Sequence, residues 1–448
     1  MPGFTGFLGR CPGLDTTTAI KSMVACTVHE PFYTHGTHVD QQLNLAVGWT
    51  SISGSYSDCL PAWNEDGTIG LVFAGEHFAE PSDYDRLRAA GHSFARNDAS
   101  SLVHLYEELG ERFFASLNGT FSGLIIDRRT RDVILFNDRF GLSRVYVHES
   151  PDGIYFASEA KALLRVLPGL RRFDQAGLAE YFSTGSPLQN RTLFAGVQLL
   201  PCASLWRMRP GEPTRKRTYF QPAEWENPEP ISTEAYYERL RETLKSGAPK
   251  FFGGNQEVCL SLTGGLDSRM VIAAAPHKPG GLRCYSNRGM YRECVDAKLG
   301  RRVAQACGFS HQTITVGKEF FPQFPDLARK TVYYSDGAMD VIGAPGLYAN
   351  QQARHIAPVR MTGNYGGEVL RSVTAFKAGT QSAWLLAEDF KPHYLEARET
   401  FRAEKAASSL TSFILFKQVP WHHYPRFAME SSQLTVRSPF LDNDLVRL

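Results

Sequence analysis

The chain has 448 residues, of which 48 are Lys or Arg and 46 are Asp or Glu, so its formal net charge is +2. This length is enough for about two or three domains with cores of their own, and a hydrophobic fraction of 43% is typical of a folded protein. The balanced charge argues against a nucleic-acid partner held mainly by phosphate neutralisation. No apolar stretch approaches the ~18 residues of a membrane-spanning helix.

Eight cysteines are scattered along the chain, and none forms a Cys-x-x-Cys pair. In a chain of this length the pattern is typical of reduced thiols, not of a disulfide framework or a zinc site. His29, His35 and His38 lie close in sequence, but no carboxylate or cysteine pattern completes a metal site. The N-terminal segment lacks the charge and apolar pattern of a secretion signal. We therefore expect a soluble, cytoplasmic protein.

The first half of the chain is predicted to be rich in β-strands. Short apolar runs alternate with turn-forming sequences such as Glu-Asp-Gly at 65–67 and Pro-Asp-Gly at 151–153. A helix is predicted over 101–114, where apolar residues fall on one helical face. The predicted strands are 69–74, 123–126, 133–136, 145–147 and 154–157.

A stretch with three prolines and three glutamates at 221–230 predicts a linker near the middle of the chain. After it, strands and helices alternate. Such alternation implies a parallel sheet that binds ligands at the carboxyl ends of its strands. The predicted strands are 257–262, 282–285, 312–316 and 359–362. One predicted helix starts over 269–275, and another covers 292–306.

The segment 260–269, Leu-Ser-Leu-Thr-Gly-Gly-Leu-Asp-Ser-Arg, carries most of the chemistry. A strand runs into Gly264 and Gly265, where backbone amides can approach an anion without a Cβ in the way. Ser268 lies where a helix begins, so its hydroxyl and the free amides of the first turn face the same anion. Asp267 is a poor phosphate neighbour unless Mg²⁺ lies between them. The Walker A pattern is absent, which excludes a P-loop NTPase. The alternative is a glycine-rich turn without a ligand.

Residues 263–268, Thr-Gly-Gly-Leu-Asp-Ser, resemble the pyrophosphate loop of the N-type ATP pyrophosphatases, which cleave ATP to AMP and pyrophosphate. Within that group the chain resembles the asparagine synthetase family over its whole length. Arg-Ser-Pro-Phe-Leu-Asp at 437–442 resembles the family's synthetase domain, and β-lactam synthetase-like and peptide-cyclase-like branches are also similar. The segments that resemble, in order, markers of the family's glutaminase domain are 71–76, 102–108, 117–121, 138–141 and 156–163.

The resemblance implies an α+β four-layer N-terminal-nucleophile-type sandwich followed by an α/β adenine-nucleotide α-hydrolase-like (ATP pyrophosphatase) domain. The predicted domains are a class II glutamine amidotransferase-like domain at 1–220, a linker at 221–232 and an asparagine synthetase-type ATP pyrophosphatase domain at 233–448. Relatives bring a lysine to the pyrophosphate from a segment well past the Pro-Phe-Leu-Asp motif. The chain stops at Leu448, so the second domain is expected to be truncated.

The first domain departs from the family pattern where glutamine would be hydrolysed. Pro2 stands where the family has its nucleophilic cysteine, and Cys11 lies too far along the chain to replace it. Ala74 replaces the oxyanion-hole asparagine, and Trp49 aligns with the arginine that relatives use on the glutamine carboxylate. Only Asp98, aligned with the acid that holds the glutamine amine, is kept. Because the nucleophile and an oxyanion donor are both lost, we expect an inactive glutaminase.

The second domain departs from the family's Ser-Gly-Glu-Gly-x-Asp-Glu loop, which here reads Thr-Gly-Asn-Tyr-Gly-Gly-Glu at 362–368. The aspartate that resembles a magnesium ligand in relatives is Gly367, which leaves Glu368 as the nearest carboxylate. Asn364 replaces the glutamate that asparagine synthetases place near the acyl-adenylate. Tyr365 lies one residue from a tyrosine position of β-lactam synthetases, although it could equally be a packing residue. The acyl substrate is therefore not required to be aspartate.

The resemblance implies a ligase of amino-acid biosynthesis type that uses ATP and Mg²⁺ to adenylate a carboxylate, after which ammonia or an amine attacks. The nitrogen donor is left open between free ammonia, a partner's ammonia and an amine on the substrate. Partners would be these small molecules, with no nucleic acid and no membrane, and a homodimer as one option. The alternative function is a weakened pseudoenzyme that binds nucleotide and serves as a scaffold.

Each predicted site residue has an assigned role. Asp267 and Glu368 are the catalytic and metal-binding pair, and Ser286 is included because it ends the second predicted strand. The pyrophosphate would be bound by Thr263, Gly264, Gly265 and Ser268, and adenosine would be framed by Leu262, Ser286, Thr362 and Gly363.

Overall fold

The computed structural model describes residues 1–226, 229–379 and 383–448. The chain divides into two compact units. Met1–Glu226 and Thr374–Tyr424 form the first, and Asn227–Val373 and Pro425–Leu448 form the second. Residues 227 and 228 of the predicted linker lie outside the described part. The segment Thr374–Tyr424 belongs to the first compact unit although it comes late in the chain. The compact units therefore differ from the predicted domains 1–220 and 233–448, with their linker at 221–232, and those domain bounds stay a prediction.

The first unit is built on twelve strands that form two six-stranded antiparallel sheets. The strands are β1 (Gly3–Gly9), β2 (Tyr33–Asp40), β3 (Leu45–Ile52), β4 (Ala62–Trp63), β5 (Ile69–Gly75), β6 (Phe121–Asp127), β7 (Asp132–Asn137), β8 (Tyr146–Ser150), β9 (Gly153–Ala157), β10 (Gln198–Leu199), β11 (Ser204–Met208) and β12 (Arg215–Thr218). One sheet has the order β10-β8-β9-β1-β3-β2 and the other β12-β11-β7-β6-β5-β4. All five predicted strands of this half are confirmed.

Helices flank these sheets. They are α1 (Thr16–Ala25), α2 (Pro81–Ala89), α3 (Ser100–Leu109), α4 (Arg112–Ser116), α5 (Ala160–Val166) and α6 (Gln175–Thr184), with 3₁₀ turns at Pro168–Leu170 and Pro222–Trp225. The prediction of one helix over 101–114 is wrong, because Gly110, with φ of 56° and ψ of −129°, ends α3 before α4 begins.

Alternating side chains make the first unit a four-layer sandwich. On β1, Phe4 and Leu8 pack in the core between the two sheets, whereas Phe7 packs with α1 and α5. On β5, Leu71 and Phe73 point away from the core between the sheets and pack with α3 and α4. Because side chains of a strand point alternately to its two faces, each sheet has one face on the other sheet and one on helices. The predicted four-layer fold is confirmed.

The second unit surrounds five strands. They are β13 (Val258–Ser261), β14 (Arg283–Gly289), β15 (Ser310–Val316), β16 (Val359–Met361) and β17 (Thr435–Arg437). Its helices are α7 (Thr233–Phe252), α8 (Leu266–Ala273), α9 (Val295–Ala306), α10 (Phe324–Tyr334), α11 (Ala344–Arg354), α12 (Gly366–Arg371), α15 (Tyr424–Ser431) and α16 (Asn443–Arg447), with 3₁₀ turns at Lys318–Gln323, Val341–Gly343 and Pro439–Leu441.

The segment that returns to the first unit is helical. It contains a 3₁₀ turn at Ala383–Leu385, α13 (Lys391–Ala406), α14 (Leu410–Phe413) and a π-helix at Ile414–His422. Helix α13 packs on α6, and the Arg144 guanidinium donates a 2.6 Å hydrogen bond to the carbonyl of Pro420. Within the described ranges, we find no helix with the length and apolarity needed to cross a membrane.

The second unit's sheet is parallel throughout and has the order β15-β14-β13-β16-β17. The chain progresses outward from β13 to β15 and then crosses back to β16 on the other side of β13. This reversal is a topological switch point, and open α/β sheets bind ligands in the crevice at such a point. The predicted parallel sheet is confirmed, with β17 as an additional edge strand.

Candidate active site

Two loops meet at the switch point. Residues 262–265 follow β13 and lead into α8, and residues 362–365 follow the neighbouring β16 and lead into α12. A Cβ on Gly363 would lie 2.7 Å from the backbone nitrogen of Ser268, and one on Gly366 would lie 2.7 Å from the Cβ of Asp267. The second loop therefore packs directly on the first turn of α8, with no space for side chains at these two glycines.

Gly264 shapes the first loop. Its φ is +75°, in the region that glycine adopts without a steric cost. A Cβ there would lie only 2.4 Å from the Cβ of Leu299 on α9. Both facts require glycine, and together they keep the loop backbone close against α9.

Polar groups of the first loop converge at the start of α8. The Ser268 hydroxyl donates to the carbonyl of Gly265 over 3.0 Å and lies 3.4 Å from the Thr263 hydroxyl. Gly265 is the N-cap residue and provides no side chain to bind the first amides of the helix. An anion at this end would meet those amides and the positive end of the helix dipole. The loop is thus suited to bind phosphate.

The carboxylate of Asp267 is paired with Arg371, a residue that the sequence analysis missed. The Arg371 Nη2 lies 2.9 Å from one Asp267 oxygen and 2.8 Å from the other. Burial raises the pKa of Asp267, the Arg371 charge acts against this, and the Glu368 carboxylate adds to the rise. The predicted metal pair, Asp267 and Glu368, is therefore brought close enough to interact electrostatically, with a protein cation on one member.

Gly367 provides the space for this cation. A Cβ at Gly367 would lie 3.2 Å from the Arg371 Nη2. A side chain at position 367 would therefore crowd the guanidinium of Arg371. The only sequence signal for Arg371 is its position three residues after Glu368, where two residues share one helical face.

Tyr365 has a left-handed backbone, with φ of +70°, and is 9% exposed. Such a conformation is rare for a bulky residue and costs of order 1–3 kcal/mol. The tyrosine ends the second loop at the N-cap of α12. Strained residues cluster at binding and catalytic sites, so the strain at Tyr365 favours a functional role for this loop.

Ser286 supports the first loop from behind. Its side chain is buried, and its hydroxyl donates to the carbonyl of Leu262 and lies 2.9 Å from His311 Nε2. The amide of Leu262 in turn donates to the carbonyl of Tyr285 over 2.8 Å. A contact of the Ser286 hydroxyl with adenosine would compete with these hydrogen bonds, so its predicted role as an adenosine ligand stays a prediction.

The Arg-Ser-Pro-Phe-Leu-Asp motif braces the second loop and α7. The Ser438 hydroxyl donates to the carbonyl of Asn364 over 2.6 Å, and the Thr362 amide donates to the carbonyl of Arg437 over 3.0 Å. The Arg437 guanidinium donates to the carbonyls of Phe251 and Gly253, near the end of α7, over 2.8 and 2.6 Å. Arg437 and Ser438 therefore fix the second loop and the end of α7.

The predicted glutaminase positions of the first unit have structural roles. Trp49 is 9% exposed and packs in the core between the sheets, as does Ala74. The Asp98 carboxylate accepts hydrogen bonds from the amide and hydroxyl of Ser100, over 2.9 and 2.5 Å, at the start of α3. Burial raises the pKa of the Cys11 thiol, which favours its unreactive neutral form.

Comparisons with known proteins match two successive parts of the chain to family models. A family model described as "Glutamine amidotransferase domain" matches residues 1–220, and one described as "Asparagine synthase" matches residues 239–448. Asparagine synthetase [glutamine-hydrolyzing] 1 of Bacillus subtilis (strain 168) is 23% identical over 383 residues, which are 84% of this chain and 60% of the relative. Asparagine synthetase [glutamine-hydrolyzing] 2 of the same organism is 28% identical over 258 residues, 54% of this chain and 34% of the relative.

This chain thus spans less than two thirds of the length of these relatives, as the shares of 60% and 34% show. Among solved structures, glutamine phosphoribosylpyrophosphate amidotransferase from B. subtilis is 13% identical, with a TM-score of 0.36 over 69% of this chain and 65% of that chain. A score this low supports no conclusion.

Proposed function

Because the chain belongs to the asparagine synthetase family, we propose that it is an ATP-dependent amide-forming ligase. It adenylates a carboxylate, either aspartate or another acid, and its nitrogen comes from ammonia or an amine instead of from its own glutamine hydrolysis. The observation that carries this proposal is the contact between the two loops at the switch point. There Gly363 lies against the amide of Ser268. One side of the crevice would therefore bind phosphate at the start of α8, and the other side carries the second loop, which leads to the Glu368 carboxylate.

The reaction has two steps. A carboxylate oxygen of the substrate attacks the α-phosphorus of ATP, and the bond from that phosphorus to the bridging oxygen breaks, so pyrophosphate leaves. The nitrogen then attacks the acyl carbon, loses a proton to solvent, and the bond to the AMP oxygen breaks. Thr263, Gly264, Gly265 and Ser268 bind the departing pyrophosphate, where negative charge develops.

Asp267 and Glu368 would hold Mg²⁺. The ion prefers oxygen ligands and is usually bound by one or two carboxylates together with substrate phosphates. The two carboxylates interact closely enough for Glu368 to raise the pKa of Asp267, so the donor set fits a divalent cation. When bound, Mg²⁺ supplies charge neutralisation at the phosphates.

Arg371 would also act in this scheme. Its guanidinium pairs with both oxygens of Asp267 and cannot itself coordinate a metal, so it would compete with an ion for this carboxylate. With its side chain about half exposed, at 49%, it can turn towards the phosphates. A guanidinium is well suited to phosphate oxygens because its N–H groups match their geometry.

Leu262 and the Thr362-Gly363 turn would frame adenosine. Leu262, the first residue of the first loop, is fully buried, and Thr362 is 3% exposed. Both directly follow central strands, β13 and β16, whose backbone is fixed by the sheet. The proposal that nitrogen does not come from glutamine rests on the first unit. There Trp49 and Ala74 pack in the core between the sheets, which supports the loss of glutamine binding.

The test uses protein from the complete reading frame and measures AMP and pyrophosphate released from ATP. Aspartate with ammonium, aspartate with glutamine, and a panel of carboxylates with amines are compared.

Ser268→Ala is expected to lower the rate, because the hydroxyl is lost from the phosphate side of the loop. Ser246→Ala is the matched control, since that hydroxyl also donates to a backbone carbonyl of a helix, 2.8 Å from Glu242 O, but is outside the site. Equal effects of both substitutions would contradict the assignment.

A nucleotide-binding scaffold is the second candidate. The observation that favours it is the Arg371–Asp267 pair, since it neutralises the carboxylate that a metal would use. A scaffold would bind ATP with the same affinity whether or not Mg²⁺ is present, and would release no pyrophosphate across the panel. A ligase would show affinity that depends on Mg²⁺ and turnover with at least one substrate pair.

A further inference from the structure

Four side chains that are typical metal ligands come together in the first unit. Each offers one ligand atom, and these atoms all lie within 4.8 Å of one another. They come from three separate parts of the chain, namely the turn between β4 and β5, the loop after α2, and α3. The four residues, here called the His₂Glu₂ cluster, are Glu65, His92, His104 and Glu107.

The distances approach those of a coordination sphere. The His104 Nδ1 lies 3.4 Å from one oxygen of Glu65 and 3.8 Å from one of Glu107, and the His92 Nδ1 lies 3.8 Å from the other Glu65 oxygen. Ligands of a tetrahedral zinc ion, bound at about 2.0–2.1 Å, are about 3.3 Å apart. Small side-chain movements would therefore complete the geometry.

His104 is the clearest sign that something binds here. Its side chain is only 3% exposed, yet its Nδ1 has no hydrogen-bond partner among the described residues, and neither does the buried Oε2 of Glu107. Buried polar atoms are almost always satisfied. Both unsatisfied atoms point into the same cluster, where a cation would pair with each of them.

A second set of contacts orients the ligands. The His92 Nε2 lies 3.0 Å from a Glu108 oxygen, which leaves the Nδ1 for a metal. The Ser93 amide donates to Glu65 over 3.0 Å, and the Asn64 side chain donates to Glu107 over 3.1 Å. Metal-bound histidines and carboxylates are typically held by such outer contacts, a carboxylate on the second ring nitrogen being common.

We propose that the His₂Glu₂ cluster is a structural zinc site. Two imidazoles and two carboxylates provide four protein ligands, the number that closes a structural site and leaves no position for a substrate. Imidazole ligands favour zinc over magnesium or calcium. The bound ion would tie the β4–β5 turn and the loop after α2 to α3, and so stabilise the outer helical layer of the sandwich.

The test uses the full-length chain, treated with a chelator and then dialysed. Zinc is titrated by calorimetry, and the melting temperature is measured with and without the ion. We expect one zinc ion per chain and a higher melting temperature. Substituting Co²⁺ should give the visible absorption of a tetrahedral site. Absence of stoichiometric zinc binding would overturn the proposal, whatever the outcome of the ligase assay.

Variants locate the ion. Glu65→Gln is chosen because its side chain is 50% exposed and its loss should not prevent folding, and His92→Gln removes an imidazole. Each should weaken zinc affinity about tenfold or more and abolish the rise in melting temperature. His35→Gln, on an exposed histidine of β2, is the control and should leave both unchanged. Unaltered zinc affinity in a folded Glu65→Gln protein, judged by circular dichroism, would place the ion elsewhere and refute the proposal.

Discussion

Arg371 pairs with Asp267 across 104 residues of sequence, with one guanidinium nitrogen 2.9 and 2.8 Å from the two carboxylate oxygens. The pair lies where the two loops of the switch point meet. Gly367 adjoins the same nitrogen, since a Cβ there would lie 3.2 Å from it. The proposed metal site thus holds a basic group that pairs with one of its two carboxylates.

We expect Arg371→Gln to lower the rate of pyrophosphate release about 10- to 100-fold, because a charge that stabilises the transition state is lost. Arg371→Lys should keep part of the rate, since it retains the charge but not the forked geometry. The measurement is pyrophosphate release at saturating ATP and Mg²⁺. Arg329→Gln is the control, because that arginine is 78% exposed and pairs only with Asp326 among the ion pairs of the described residues.

A faster Arg371→Gln enzyme would reverse this assignment. It would mean that the guanidinium blocks Mg²⁺ from Asp267 and that its movement limits turnover. Titration of Mg²⁺ at fixed ATP separates the two cases, because relief of a block lowers the Mg²⁺ concentration needed for half-maximal rate.

Gly264→Ala is expected to abolish ATP binding and to destabilise the protein. The new Cβ would meet the Cβ of Leu299 at 2.4 Å in a backbone with φ of +75°. Gly280→Ala is the matched control, since Gly280 has φ of +83° but no heavy atom within 4 Å of an added Cβ. The control should show only the conformational cost, about 1 kcal/mol. Urea denaturation and calorimetry with ATP measure both effects, and equal losses would show that steric contact with α9 is unimportant.

Local patterns were enough to predict the framework of the site. The apolar run before Gly264 and Gly265 and the polar first turn of α8 are contiguous in sequence, so their strand–loop–helix structure could be predicted from short-range rules. The alternation of strands and helices likewise predicted the parallel sheet. These features depend on neighbours in the chain, and the structure has them near the predicted bounds.

Features that depend on distant residues could not be predicted. The Arg371–Asp267 pair and the His₂Glu₂ cluster each join segments that only the folded chain brings together. The left-handed backbone of Tyr365 could not be predicted either, because tyrosine itself gives no signal for a positive φ. The return of Thr374–Tyr424 to the first unit is another long-range result.

Glutamine is not expected to serve as a nitrogen donor. Trp49 packs in the core between the sheets and carries no cation for the carboxylate of glutamine, and one oxygen of Asp98 already accepts two hydrogen bonds from Ser100. Restoring a cysteine with Pro2→Cys should not restore hydrolysis, since the oxyanion donor at Ala74 is still missing. Glutamate release from glutamine measures this, with free ammonium as the positive control for the ligase reaction. Glutamate formed by the unmodified chain would contradict the proposal.

A buried ion pair between Arg360 on β16 and Glu430 on α15 should contribute to the stability of the second unit. Glu430 is 2% exposed and accepts one hydrogen bond from Arg426 over 3.0 Å, and it pairs with Arg360 at the same distance. Glu430→Gln would leave Arg360 buried without its counter-charge, which typically costs about 3–5 kcal/mol. Glu388→Gln, at a carboxylate 88% exposed, is the control and should change the free energy of unfolding by less than about 1 kcal/mol.

The same pair predicts a pH dependence. Burial alone would raise the pKa of Glu430, but Arg360 and Arg426 outweigh it, so the pKa lies below its ordinary value. A carboxylate with a lowered native pKa contributes stability that is complete above its unfolded pKa, about 4.3, and is lost as the pH falls through the native pKa. The difference in unfolding free energy between the unmodified chain and Glu430→Gln should therefore be constant from pH 7 to about 5.5 and shrink below about 4.3. Urea denaturation across this range measures it, and a difference that persisted unchanged at pH 3 would show that packing, not charge, makes Glu430 important.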